Sequence, residues 1–326
     1  MTAKISALRI TLMCSAAALA ACSAAPSSSG GSHSLPAAQG SWISHDALSQ
    51  PLLYVSNSEK ASVNVYSGFL SKHPTLEGQL TGFEYPYGAC VDAMGNVYVT
   101  DEYAVDVVEY AHGGSTPLKT LPLAGLPIGC AVDPVTGNLA VSIYEGSQGG
   151  NTRGGVFIFS NASGTPTLYT DPDLWQIWPP AYDPKGNLFV LGYNPTVELA
   201  ELPRGGSEFE QISLGVQLNA PGSVLWDGRY LDAVDQQYQG GTSTAIYRIT
   251  VSGTTGTIHH TTVLSDTCNG AAADVVQPLI VGRTVFGPNH ACTNRFDYWS
   301  DARGGNPRRS MPSAPLDGSG EAISKP

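Results

Sequence analysis

One short signature recurs along this chain, and its spacing admits few architectures. The run Pro86-Tyr87-Gly88-Ala89-Cys90-Val91-Asp92-Ala93-Met94-Gly95-Asn96-Val97 is matched by Pro127-Ile128-Gly129-Cys130-Ala131-Val132-Asp133-Pro134-Val135-Thr136-Gly137-Asn138-Leu139, with Gly88 and Gly129 41 residues apart. A third copy, Pro180-Ala181-Tyr182-Asp183-Pro184-Lys185-Gly186-Asn187-Leu188, places Asp183 50 residues beyond Asp133. A fourth, Pro221-Gly222-Ser223-Val224-Leu225-Trp226-Asp227-Gly228, has a shorter turn, and weaker copies lie at 42–56 and 270–287. In each, a short apolar strand enters an Asp-x-x-Gly-Asn-type turn. The Asp accepts backbone N–H bonds there, and Gly-Asn tolerates the left-handed angles the turn requires. A second strand follows, then a loop, a third strand (105–110, 156–159, 197–202, 245–249), a Gly- and Pro-containing turn and a fourth strand.

Four antiparallel strands every 41 to 50 residues is the period of a β-propeller blade. A β-sandwich, the other all-β choice, would not repeat a turn signature at that spacing. The expected fold is all-β, a six-bladed β-propeller of four-stranded antiparallel blades over residues 41–326. The apolar–Asp–x–x–Gly–Asn–apolar core resembles that of the NHL-repeat β-propellers across residues 41–315. The resemblance is closest in blades two to four and fades in blades five and six, which lack Gly-Asn. It implies an axial channel and no single activity, because one scaffold carries many functions. Residues 320–324 read as a further first strand, so either they or residues 42–44 line the channel in blade one.

Only 13% of residues are charged, against 37 glycines and 23 prolines, which suits short strands and tight turns rather than helices. The formal net charge is −11, and a surface that acidic repels phosphate backbones, which excludes nucleic acid as a partner. Lys4 and Arg9 precede a short Ala-rich apolar run that is too short to span a bilayer and ends in Leu19-Ala20-Ala21-Cys22. This resembles a bacterial lipobox. It implies a signal peptide at 1–21, lipidation of Cys22, a net charge of −13 once Lys4 and Arg9 are removed, and an exported, envelope-anchored monomer. Residues 22–40, rich in Ser, Ala, Gly and Pro, read as a flexible tether.

Four cysteines remain in the body, and an oxidising compartment favours two bridges. Cys90 aligns with Ala131 and Cys130 with Ala89, so the two sit on neighbouring first strands shifted by one position. Side chains alternate along a strand, so the shift points one sulfur forward and the other back, into one gap. The remaining pair is Cys268–Cys292, both expected on the loop-rich face.

Catalytic signatures are missing: there is no Gly-x-Ser-x-Gly, His-Glu-x-x-His or Cys-x-x-Cys. The His259-His260 doublet reads as a solvated outer strand, and only His290, beside Cys292, falls on the face of interest. That face carries the loops between strands two and three and those between blades. Its rings Tyr85, Tyr87, Trp175, Trp178 and Tyr193, with amides such as Gln148, Asn151 and Asn289, suit a polar ligand with flat apolar surfaces. Asp101, Glu102 and Asp235 stand at second-strand exits, where carboxylates suit a hard cation such as calcium; no other cofactor is expected. The first expectation is a non-catalytic module that binds a glycan, peptide or protein through residues including Tyr85, Tyr87, Asp101, Trp175, Trp178, Tyr193, Asp235 and Asn289. The alternative is a metal-dependent lactonase or hydrolase similar to the gluconolactonase-like propellers, for which Asn57, Asp101, Asn194 and Asp235 occupy plausible exits. A third is a purely structural envelope protein.

Overall fold

The computed structural model describes residues 40–146, 153–265, 275–289, 295–311 and 320–326. The lipidation site Cys22, the Cys268–Cys292 pair, His290, Gln148 and Asn151 lie outside the described residues. Those described form antiparallel sheets joined by turns, with four short 3-10 segments as their only helices. None of those helices is long and apolar enough to cross a membrane.

The Asp turns form as their chemistry dictates. Asp92 Oδ1 accepts the N–H groups of Met94 and Asn96, both at 2.8 Å, while Asn96 Nδ2 donates to Oδ2 at 2.9 Å. Asp183 repeats the pattern with Lys185 and Asn187, and Asp227 with Arg229 and Tyr230. Gly95 takes φ +83°, a left-handed angle that a β-carbon would strain.

Sheet 2 runs Pro86–Val91, Val97–Asp101, Asp106–Tyr110 and Pro117–Pro122, each strand paired to the next. Sheet 3 repeats this with Pro127–Val132, Leu139–Ile143, Gly155–Phe159 and Thr167–Tyr169. In sheet 4 the first strand is broken into Gln176–Ile177 and Ala181–Tyr182, and both pieces pair with Leu188–Tyr193. The break falls at Pro179-Pro180, which have no N–H for the ladder. Val197–Leu202 and Glu210–Ile212 complete this sheet. Sheet 5 has eight strands: one half runs from Pro221–Trp226 to Thr255–Leu264 and the other from Leu279–Val281 to Gly304–Ser310. A single parallel pairing, Leu264 with Gly305, joins the halves.

Sheet 1 settles which terminus completes it. Glu321–Ser324, from the chain's end, pairs with Leu52–Asn57 on the inner edge, whereas Trp42–Ile43 pairs with Thr75–Thr81 on the outer edge.

The core lies between successive sheets and the series closes. Tyr54 and Val65 of sheet 1 meet Ala89 and Val99 of sheet 2, and Tyr98 and Val107 of sheet 2 meet Leu139 and Val141 of sheet 3. Sheets 3 and 4, sheet 4 and the first half of sheet 5, and the two halves of sheet 5 pack likewise. Phe286, Phe296 and Tyr298 of the second half then pack on Leu53, Val55 and Tyr66 of sheet 1. The innermost segments touch around the same circuit. A β-carbon at Gly320 would lie 2.6 Å from Gly88 Cα, one at Gly88 2.7 Å from Gly129 Cα, and one at Gly129 2.6 Å from Pro179 Cα. Val224 N then donates to Pro179 O at 2.9 Å and Ser223 N to Val276 O at 2.8 Å. This closed series is a β-propeller-like fold, in which each sheet packs its apolar faces on its neighbours.

The bridge expected from repeat register is present. Cys90 and Cys130 form a disulfide across sheets 2 and 3, with Cα atoms 5.6 Å apart and the two residues 40 positions apart in sequence.

Candidate functional site

The loops that leave the second strands and those that connect sheets converge on one face. Between sheets 2 and 3 they bring rings and carboxylates together. Tyr85, in the loop before sheet 2, stacks on Tyr103 from the loop after Val97–Asp101, with centroids 4.6 Å apart, and lies 6.4 Å from the ring of Tyr87. Tyr144, at the start of the equivalent loop in sheet 3, meets Trp178 edge-to-face at 5.8 Å. Backbone pairing holds the loops: Glu102 N donates to Tyr85 O, Leu126 N to Glu145 O and Tyr144 N to Leu126 O.

Charge at this patch is one-sided. Burial, then Glu145 and Asp101, push Glu102 up to about 7. Burial, then Asp101 and Glu84, push Asp106 up to about 6. Among the described residues no basic group offsets either carboxyl, so Glu84, Asp101, Glu102, Asp106 and Glu145 make a local negative field beside the exposed ring of Tyr103 and the half-buried rings of Tyr85, Tyr144 and Trp178.

Asp101 itself serves the loop. It is buried, and its two oxygens accept the N–H groups of Glu84 and Tyr85, each at 2.7 Å. Asp235 does the same in sheet 5: Oδ1 accepts from Asn219 at 3.2 Å and from Ala220 and Gln237 at 3.0 Å. Its Oδ2 has no hydrogen-bond partner among the described residues. Asn289 is buried and donates to Asp297 Oδ2 at 2.9 Å. Among the described residues, no three His, Cys, Asp or Glu side chains are grouped to hold a metal ion.

Of the residues expected from sequence, Tyr85, Tyr87, Asp101 and Trp178 therefore fall in or beside one patch. Trp175 and Tyr193 lie at its far side, 37% and 41% exposed, with Arg153 6.0 Å from the Trp175 ring centroid. Asp235 and Asn289 belong to sheet 5 and do not join it. Sequence reasoning missed Tyr103 and Asp106, although three acids within the six residues 101–106 were a usable signal. His259 and His260 are exposed on the outer strand Thr255–Leu264, as expected.

The fold defines a β-propeller-like protein, and solved structures agree. The chain is similar to one in the crystal structure of a nidogen/laminin complex, at TM-score 0.63 and 15% identity, covering 84% of this chain and 98% of that one. It is similar to a protein of unknown function from Bacteroides caccae, at 0.60 and 12%, covering 85% and 100%. It is also similar to TolB from Acinetobacter baumannii, at 0.60 and 13%, covering 86% of this chain and 68% of TolB. At these identities the likeness is one of fold. No protein-family model matches the chain, and no curated protein matches it in sequence.

Proposed function

We propose that this chain is an exported, lipid-anchored, six-bladed β-propeller of the NHL type, acting as a non-catalytic binding module for a peptide or protein with basic side chains. The observation that carries the reading is the patch between sheets 2 and 3. There, Glu102 and Asp106, which no basic group among the described residues offsets, lie with Glu145 beside Tyr85, Tyr103, Tyr144 and Trp178. Such a surface attracts lysine or arginine twice, through charge and through the ring faces. The whole-chain charge of −11 steers the same kind of partner. One propeller-like neighbour was solved in a complex with another protein, which is in keeping with a protein partner. The reading of six blades is supported by taking each half of sheet 5 as one blade, and that of the anchor by the Leu19-Ala20-Ala21-Cys22 run.

The test is a titration of the purified chain with a lysine-rich peptide, by calorimetry at pH 6 and pH 8. Ionising Glu102, which stands near 7, strengthens the field, so binding should be tighter at pH 8. It should weaken at least about tenfold in the Glu102→Gln/Glu145→Gln variant, the loss of roughly one charge-assisted contact. Binding that ignores both pH and the double substitution sinks the proposal. Membrane partitioning that survives Cys22→Ser sinks the anchor.

A further inference from the structure

A second recess lies on the opposite face, which carries the Asp turns, at the mouth of the gap between sheet 4 and the first half of sheet 5. It is a groove of about 620 Å³. Strand register builds it. In sheet 4 the row Leu191–Leu199–Ile212 is buried and fills the gap against residues such as Val224 and Ala245. One step nearer the turns, the next row on the same face reads Phe189–Glu201–Glu210. The facing row in sheet 5 is Trp226–Leu231–Ile249–Ile258, apolar throughout. One wall of the groove therefore ends in two carboxylates and the other in an indole.

Nothing in the packing calls for these glutamates. Like charges directly opposite on neighbouring strands destabilise a sheet, and a gap closed to its end would continue the apolar row beneath. Burial, Asp183 and Glu210 all raise Glu201, and only Lys185 opposes them. Lys185 and Arg229 at the rim offset two of the three acids that line the groove, Asp183, Glu201 and Glu210, which weakens its pull on a simple cation. Among the described residues no third acidic, His or Cys group joins the pair to make a metal site.

We propose that this groove binds a neutral pyranoside. The apolar face of the sugar ring lies on Trp226, and its hydroxyls donate to Glu201 and Glu210. Ionised acceptors give the strong form of such bonds, and a flat indole matches the C–H face of the ring. A groove of this volume falls in the range of small-molecule sites, about 300–1,000 Å³. This inference does not rest on the peptide-binding face.

The experiment uses the whole chain with maltotriose, cellotriose and chitotriose as probes, each to about 10 mM, read by tryptophan fluorescence and saturation-transfer NMR. At least one sugar should bind. Glu201→Gln and Glu210→Gln are close in shape to the native residues, and each should weaken that binding about tenfold while the unfolding midpoint holds or rises. Failure of all three sugars to bind overturns the proposal, as does binding unchanged in the Glu201→Gln/Glu210→Gln double variant. Binding lost in Glu102→Gln/Glu145→Gln but kept in the groove variants would put the sugar on the other face and overturn it equally.

Discussion

Asp101 and Asp235 occupy the same place in different sheets: each ends a second strand, each is paired in register with the proline that opens the first strand, and each holds the loop leading into that strand. The prolines are Pro86 and Pro221, and the held amides are those of Glu84 and Tyr85 in one case and Asn219 and Ala220 in the other. The loop-rich face thus inherits its shape from buried carboxylates that accept backbone donors, Asp101 through both oxygens and, among the described residues, Asp235 through Oδ1 alone.

Asp101→Ala should cost about 2–4 kcal/mol, because it strands two partly buried N–H groups. Asp101→Asn keeps one acceptor oxygen and should cost less. Urea denaturation measures both. A loss under about 0.5 kcal/mol for the alanine variant, the scale of a neutral surface change, would show that the loop holds itself.

The Cys90–Cys130 bridge closes a loop of 40 residues between sheets 2 and 3. Replacing both with alanine should lower stability by roughly 3–4 kcal/mol, mostly by freeing the unfolded chain. The oxidised protein should resist thiol labelling at both positions until denatured with reductant. Labelling of both sulfurs in the native oxidised protein would contradict the bridge.

That bridge was legible because it needs only repeat register and the alternation of side chains along neighbouring strands. The Asp92 and Asp183 turns were legible for a similar reason, since every donor lies within four residues of its acceptor. The closing strand was not. Whether residues 42–43 or 321–324 complete sheet 1 depends on which outlying segment reaches Leu52–Asn57, and nothing local in either records it. The patch was half legible. Tyr85 and Trp178 stand out as rings in loops and Tyr87 as a ring at the start of a strand, but the approach of Tyr144 to Trp178, and of Glu145 to Glu102, exists only across a gap between sheets. The Glu201–Glu210 pair was invisible for the same reason, because exact cross-strand register is a tertiary property.

Gly88 tests the inner circuit. A β-carbon there would lie 2.7 Å from Gly129 Cα, with backbone on the far side that cannot swing away. Gly88→Ala should therefore destabilise by about 1–3 kcal/mol, the cost of overpacking, although alanine restricts the unfolded chain more than glycine does. Thermal unfolding of the variant decides it, and a midpoint at or above that of the wild type would mean that the inner strands have slack.

Glu321 gives the circuit a pH dependence. It lies on the closing strand opposite Val55, is 1% exposed, and neither carboxyl oxygen has a hydrogen-bond partner among the described residues. Oε1 lies 2.8 Å from where a β-carbon at Gly287 would stand. Burial raises its pKa well above the ordinary glutamate value. For an acid raised in the folded state, the stability tied to the proton is complete below the unfolded pKa and is lost as pH rises through the folded one. Glu321→Gln stays neutral throughout and keeps the shape. The variant should match the wild type near pH 4, where both are uncharged at this position, and be the more stable of the two at pH 8. Urea midpoints of the pair measured from pH 4 to pH 9 give the difference directly. A difference that stays flat across that range would mean that Glu321 reaches solvent or a cation when it ionises, and the closing strand would then carry no penalty for its charge.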